Sequence, residues 1–64
     1  MENNVIKLMK EMENEFMAAC HDAEKFANGN NSAGTRVRKA MQNIKNLAQT
    51  VRVEIQEQKN SVLA

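Results

Sequence analysis

The stretch Phe26-Ala27-Asn28-Gly29-Asn30-Asn31-Ser32 decides the fold, because the helical patterning on either side of it breaks there. Gly29 can take the left-handed conformation that ends a helix, and Asn30, Asn31 or Ser32 can accept a backbone N–H to begin the next one. A connection this short forces the two flanking elements to run antiparallel. Upstream, Val5, Met9, Met12, Phe16, Ala19, Ala23 and Phe26 recur at alternating spacings of four and three, the seam of an amphipathic helix, and Ile6, Leu8, Met17, Cys20 and Ala27 broaden it. Downstream, Ala33, Val37, Ala40, Ile44, Leu47 and Val51 repeat the spacing, while Met41, Ala48, Ile55 and Val62 form a parallel line seven apart.

The expected architecture is all-α: one domain over residues 1–64, with a first helix at about 3–28, a turn at 29–31 and a second helix at about 32–60. Two helices of ~26 residues would each be ~39 Å long. Side by side they cover one flank of each apolar face and leave the other, rich in Met and Ala, exposed to water. A chain of 64 residues is also short for a self-sufficient core, since below ~70 residues a single core rarely supplies more than ~3–5 kcal/mol. Dimerisation into a four-helix bundle meets both needs, as would a different partner chain. Cys20 is expected as a small buried hydrophobe, and Met1, Met9, Met12, Met17 and Met41 as core in preference to a soft, adaptable partner groove.

Composition narrows the function classes. The chain has two Phe and no Tyr or Trp, no Pro and a net charge of +1, which fits one helical unit and excludes a multidomain enzyme. Cys20 is the single cysteine, so no intrachain disulfide can form, and with His21 as the only other soft donor a zinc cluster lacks ligands. The opening MENNVIKLMKEM does not read as a secretory signal, and no stretch approaches the ~20 apolar residues of a membrane span, so a cytoplasmic protein is expected. Cys20 and His21 are helix neighbours pointing ~100° apart and cannot act as nucleophile and base. His21 and Lys25, four apart, read as a solvated face. Glu11, Glu15 and Asp22 line one flank of the first helix, but the Glu-x-x-His companion of bundle metal sites is absent, so they read as surface charge pairing with Arg or Lys across the hairpin. No catalytic, cofactor or metal set converges, and no small-molecule substrate is implied.

The informative feature is charge distribution. Residues 1–28 carry three cations against six acids, and residues 32–64 six cations against two. In the second helix Arg38, Lys45, Arg52 and Lys59 fall seven apart with Gln42, Gln49 and Gln56 between them, one face of cations and amides. From Arg38 to Lys59 the ridge spans ~31 Å, close to one turn of duplex at ~34 Å, so it can meet successive phosphates. The amides add hydrogen bonds to phosphate and sugar oxygens without selecting sequence. Arg36 and Lys39 thicken the positive end near the turn, where the free N–H groups of the helix N-terminus favour an anion between Asn31 and Arg36. Against this stands the plainer reading of a solvated helix face. Burial of both Phe would exclude base stacking and hence single-strand recognition.

The run GNNSAGTRVRKAMQNIKNLAQTVRVE, Gly29 to Glu54, resembles the bacterial linker-histone-like family, the small chlamydial-type histone-like DNA-binding proteins, in a tail-less form. Its most specific part is Gly29-Asn30 followed by Ala33-Gly34-Thr35-Arg36-Val37-Arg38-Lys39. The first helix matches in length and amphipathicity. Asn31 stands where the family often has Lys, and Val51 and Val53 flank Arg52 where an aromatic and a Lys are usual. The resemblance implies sequence-independent binding to duplex DNA and compaction of the nucleoid, with Arg36, Arg38, Lys39 and Arg52 at the family's basic positions. The expected function is therefore a nucleoid-associated, histone-like homodimer gripping the phosphate backbone through Arg36, Arg38, Lys39, Lys45, Arg52 and Lys59. The competing expectation is a helical assembly module with no nucleic-acid role, in which the acidic face of one copy meets the basic face of another.

Overall fold

Gly29 ends the first helix with a φ of +103°, a conformation open to glycine and strained for other residues. Around it the Asn30 N–H donates to the Lys25 carbonyl (3.0 Å) and the Gly29 N–H to the Phe26 carbonyl (3.0 Å), the paired bonds of a Schellman stop. Asn30 at once starts the next helix, its side-chain oxygen accepting the Ala33 N–H at 3.1 Å. One residue thus closes one helix and caps the other. The computed structural model describes residues 3–63, and the side chains of residues 3–61. Within it lie α1, Asn4–Ala27, and α2, Asn31–Leu63. The expected roles of Met1 and of Val62 lie outside what is described. At the other end Asn3 caps α1 by accepting the Val5 N–H at 2.8 Å.

The two helices pack as an antiparallel hairpin, a slab of 54 × 20 × 11 Å that is one helix thick. Its register is read from side-chain pairs on one face. Asp22 meets Arg36, Glu15 meets Asn43 (2.8 Å) and Glu54 meets Asn4 (3.3 Å), so α1 descends as α2 ascends in equal steps. Beside the last pair, the amides of Asn3 and Gln58 exchange two hydrogen bonds of 3.0 Å each and close the free end.

The core is narrow and made of small residues: Ala19, Ala33 (0% exposed), Ala40 and Val51 are the buried residues among those described. In α2 the inward line Ala33, Val37, Ala40, Ile44, Leu47, Val51 follows the sequence expectation. In α1 the expected seam is corrected. The half-buried or buried line is Val5, Leu8, Met12, Glu15, Ala19 and Asp22, so Leu8, Glu15 and Asp22 take the flank expected of Met9, Phe16 and Ala23. The cause is steric and polar together. Alanines on both helices bring the backbones too close for a phenylalanine between them, and the rotation carries the Glu15 and Asp22 carboxylates to Asn43 and Arg36. Phe16 and Phe26 are consequently 57% and 54% exposed, and Met9, Met17, Met41 and Cys20 are exposed rather than core. Met12 alone of the described methionines is half-buried.

Phe26 packs its ring over Gly34 in the first turn of α2. A β-carbon at Gly34 would come within 2.5 Å of the ring. This explains a glycine inside a helix, where it costs about 1 kcal/mol relative to alanine. In a Phe26→Ala chain, Gly34→Ala is expected to raise the unfolding free energy by about 1 kcal/mol, the helix-propensity gain. With Phe26 present the gain shrinks or reverses, and urea unfolding followed by circular dichroism at fixed protein concentration measures the difference.

Candidate nucleic-acid interface

The two broad faces of the slab differ in chemistry. One carries the polar pairs just described. The other is apolar: a groove of about 490 Å³ is lined by Val5, Ile6, Met9, Met12, Phe16 and Ile44, with Lys10 and Glu13 at its edge. Toward the turn the same face continues through Ala23, Phe26, Gly34 and Val37. Exposed Met41 and Ile55 extend it along α2. A contiguous apolar surface of this kind is characteristic of an interaction face.

Arg38, Lys45, Arg52 and Lys59 form the outer edge of α2 next to this apolar face. Arg38 borders the groove with Phe26 and Val37, and Lys45 and Arg52 flank Ala48 and Gln49. All four are exposed, and none makes an ion pair or hydrogen bond among the described residues. The seven-residue spacing on a continuous helix keeps them in one row of ~31 Å. Gln42, Gln49 and Gln56 are exposed between them, with Gln56 donating to Asn60 at 3.1 Å. The four cationic side chains are exposed, so a phosphate approaching them displaces water and counterions.

The other two expected cations sit elsewhere. Arg36 lies on the polar face, where its Nε donates to Asp22 Oδ1 at 3.0 Å; its side chain is 49% exposed and that of Asp22 19%. Lys39 shares a shallow groove with Arg36, Asp22, Glu15 and Asn43. The structure therefore brings four of the six expected residues onto one edge and places Arg36 and Lys39 on the opposite flank beside acids. The first turn of α2 also has one fewer N–H for an anion, since Asn30 already holds that of Ala33. Contrary to expectation, the phenylalanines are not buried; both rings lie on the apolar face, Phe26 beside Arg38.

Sequence reading missed the Glu15–Asn43 clip and the inward turn of Asp22. A signal for both was present. Glu15 and Asp22 are seven apart, as are Arg36 and Asn43, and equal spacings on antiparallel helices fall into register together. Among the described residues there is no cluster of His, Cys, Asp and Glu able to hold a metal ion, and no helix is long and apolar enough to cross a membrane.

Residues 6–61 match the family model described as histone H1-like protein Hc1, which spans the hairpin from the first turn of α1 to near the end of α2. No curated protein and no solved structure matches the chain.

The Arg36–Asp22 pair is partly solvated, so its contribution is screened. Asp22→Ala is expected to lower the unfolding free energy by less than about 1 kcal/mol at low ionic strength. Urea titrations repeated in ~1 M salt, where the Debye length falls to ~3 Å, should show a smaller difference still.

Proposed function

The chain belongs to the histone H1-like protein Hc1 family, a histone-like DNA-binding family, and from that premise we propose that it binds duplex DNA without sequence specificity through the cationic edge of α2. Arg38, Lys45, Arg52 and Lys59 contact successive phosphates, and Arg36 and Lys39 add a weaker second cluster whose charge is shared with Asp22 and Glu15. The observation that carries this reading is the row of four exposed cations with no carboxylate partner among the described residues. Contacts from Lys and Arg to phosphate oxygens position a protein on the backbone and carry no sequence information.

One hairpin offers few contacts. Each phosphate neutralised contributes about 0.9 to the slope of log affinity against log salt, so four contacts give ~3.6 and weak binding at physiological salt. Pairing of two copies through their apolar faces places a second cationic edge on the same particle and covers Phe16, Met9 and Ile6. The working unit in this reading is a homodimer associated with the nucleoid in the cytoplasm. A second reading, an assembly module without nucleic acid, draws on the same apolar face.

Duplex titration across ~50–200 mM salt separates the two. The histone-like reading expects retention of unrelated duplexes with equal affinity. It also expects the triple change Arg38→Ala, Arg52→Ala and Lys59→Ala to reduce the salt slope by about 2.7 per chain. An unchanged slope would remove the α2 edge from the interface, and no retention at low salt would favour the assembly module.

A further inference from the structure

We infer that the dimer proposed above, on which this inference rests, stacks each α2 over the α1 of the other copy, with Glu13 facing the partner's Lys45, and that it thereby joins two DNA duplexes. The argument begins with the shape of the slab. It is one helix thick, 11 Å, and its apolar face is open along the whole of α1. The overlap of the helices, ~36 Å for the 24 residues of α1, times the 20 Å width gives a footprint of ~700 Å² per copy. That is close to the ~800 Å² per partner of a standard specific interface, which makes a second copy a sufficient occupant.

Two such faces can meet about a two-fold axis in their common plane, running either across the helices or along them. Across, α2 lies on the partner's α2, and the edge of Arg38, Lys45, Arg52 and Lys59 abuts its own copy, cations against cations. Along, α2 lies on the partner's α1, whose matching edge carries Ile6, Glu13, Met17, Cys20 and Glu24 with Lys10. Charge complementarity selects the second arrangement.

Symmetry then determines the register. Rotation about an axis parallel to the helices leaves every residue at its own height. Glu15 and Asn43 share a level within one hairpin, so two residues further along Glu13 and Lys45 do also. Glu13 borders the apolar face on the α1 edge and Lys45 on the α2 edge, so within one chain they are on opposite sides of the slab. Across the dimer they coincide. The same geometry sets Phe16 over the partner's Met41. It also takes Lys45 out of the row that meets phosphate and sends the other three cations, Arg38, Arg52 and Lys59, to diagonally opposite edges of the bundle. A duplex with a persistence length of ~150 bp cannot wrap from one edge of so small a body to the other, so the second edge is left for a second duplex.

The test is a charge exchange. Glu13 and Lys45 are both exposed, so each variant is expected to retain its helicity, which circular dichroism checks. In sedimentation equilibrium, Glu13→Lys and Lys45→Glu are each expected to weaken dimerisation about tenfold, two symmetric contacts being reversed at once, and the double exchange to restore it to within ~3-fold. Tightening by Lys45→Glu with no effect of Glu13→Lys would overturn the arrangement, since that is the signature of cation facing cation. For the joining of duplexes, the wild-type dimer bound to an immobilised duplex is expected to retain a second, labelled duplex at low salt. Saturation of the first without retention of the second would overturn the bridging inference and leave DNA binding standing. A wild-type chain that stays monomeric, or fails to bind the first duplex, would instead overturn the reading beneath it.

Discussion

Close approach of two helix backbones through alanine is the constraint on which this hairpin depends. Ala19 on α1 and Ala33 and Ala40 on α2 are nearly sealed from solvent, while no large side chain is fully buried among the described residues. Small residues at the crossing leave no space for Phe16, and this one exclusion rotates α1 so that its bulky apolar residues face outward. Two consequences follow from one rotation. The polar face gains the Asp22–Arg36 and Glu15–Asn43 clips that hold the register. The opposite face receives Ile6, Met9, Phe16 and Phe26, which a monomer would have to hold in water. Local packing and the open apolar face are thus the same fact seen from two sides.

The parts of the fold that depend on backbone chemistry were legible in the residues. Gly29 ends α1 and an asparagine starts α2 because few other residue types satisfy those conformations and orphan N–H groups. The α2 seam was legible because its four-and-three spacing runs unbroken from Ala33 to Val51, whereas the parallel line of Met41, Ala48 and Ile55 repeats only every seven residues. The α1 seam was not, because its apolar arc is wide enough to hold two parallel rows, and periodicity alone cannot choose between rows one position apart. The choice is made by the partner helix. Likewise the stripe Arg38, Lys45, Arg52 and Lys59 could be read from its spacing, whereas the capture of Arg36 by Asp22 depends on a register that only the turn and the alanines define.

Arg36 and Arg38 show how two positions separate chemically similar side chains. Two residues apart on a helix, they point ~200° apart in rotation and fall on opposite flanks of α2. Arg36 meets an acid of its own chain, Asp22, near the turn end of the hairpin. Arg38 has no such partner among the described residues and borders the apolar face. Two basic residues of one short run therefore divide into one cation turned to the fold and one turned outward. A small domain with a thin core has reason to use some of its charge for register, since three polar pairs along one face resist slippage that four small buried residues cannot resist alone.

The near-zero net charge fits the same logic. A strongly basic hairpin would bind DNA as a monomer but would repel its own copy, and its exposed apolar face would stay uncovered. Here acids outnumber bases on α1 and bases outnumber acids on α2, so the two helices of one slab differ in the sign of their net charge. The excess of +1 over the whole chain then conceals a dipole across its width. In the dimer inferred above, α2 of each copy would meet the less basic α1 of the other, and the alternative that sets α2 on α2 would be disfavoured by repulsion. In that proposed dimer, charge segregation of this sort would give self-association a direction and leave the cations beyond the contact for a polyanion.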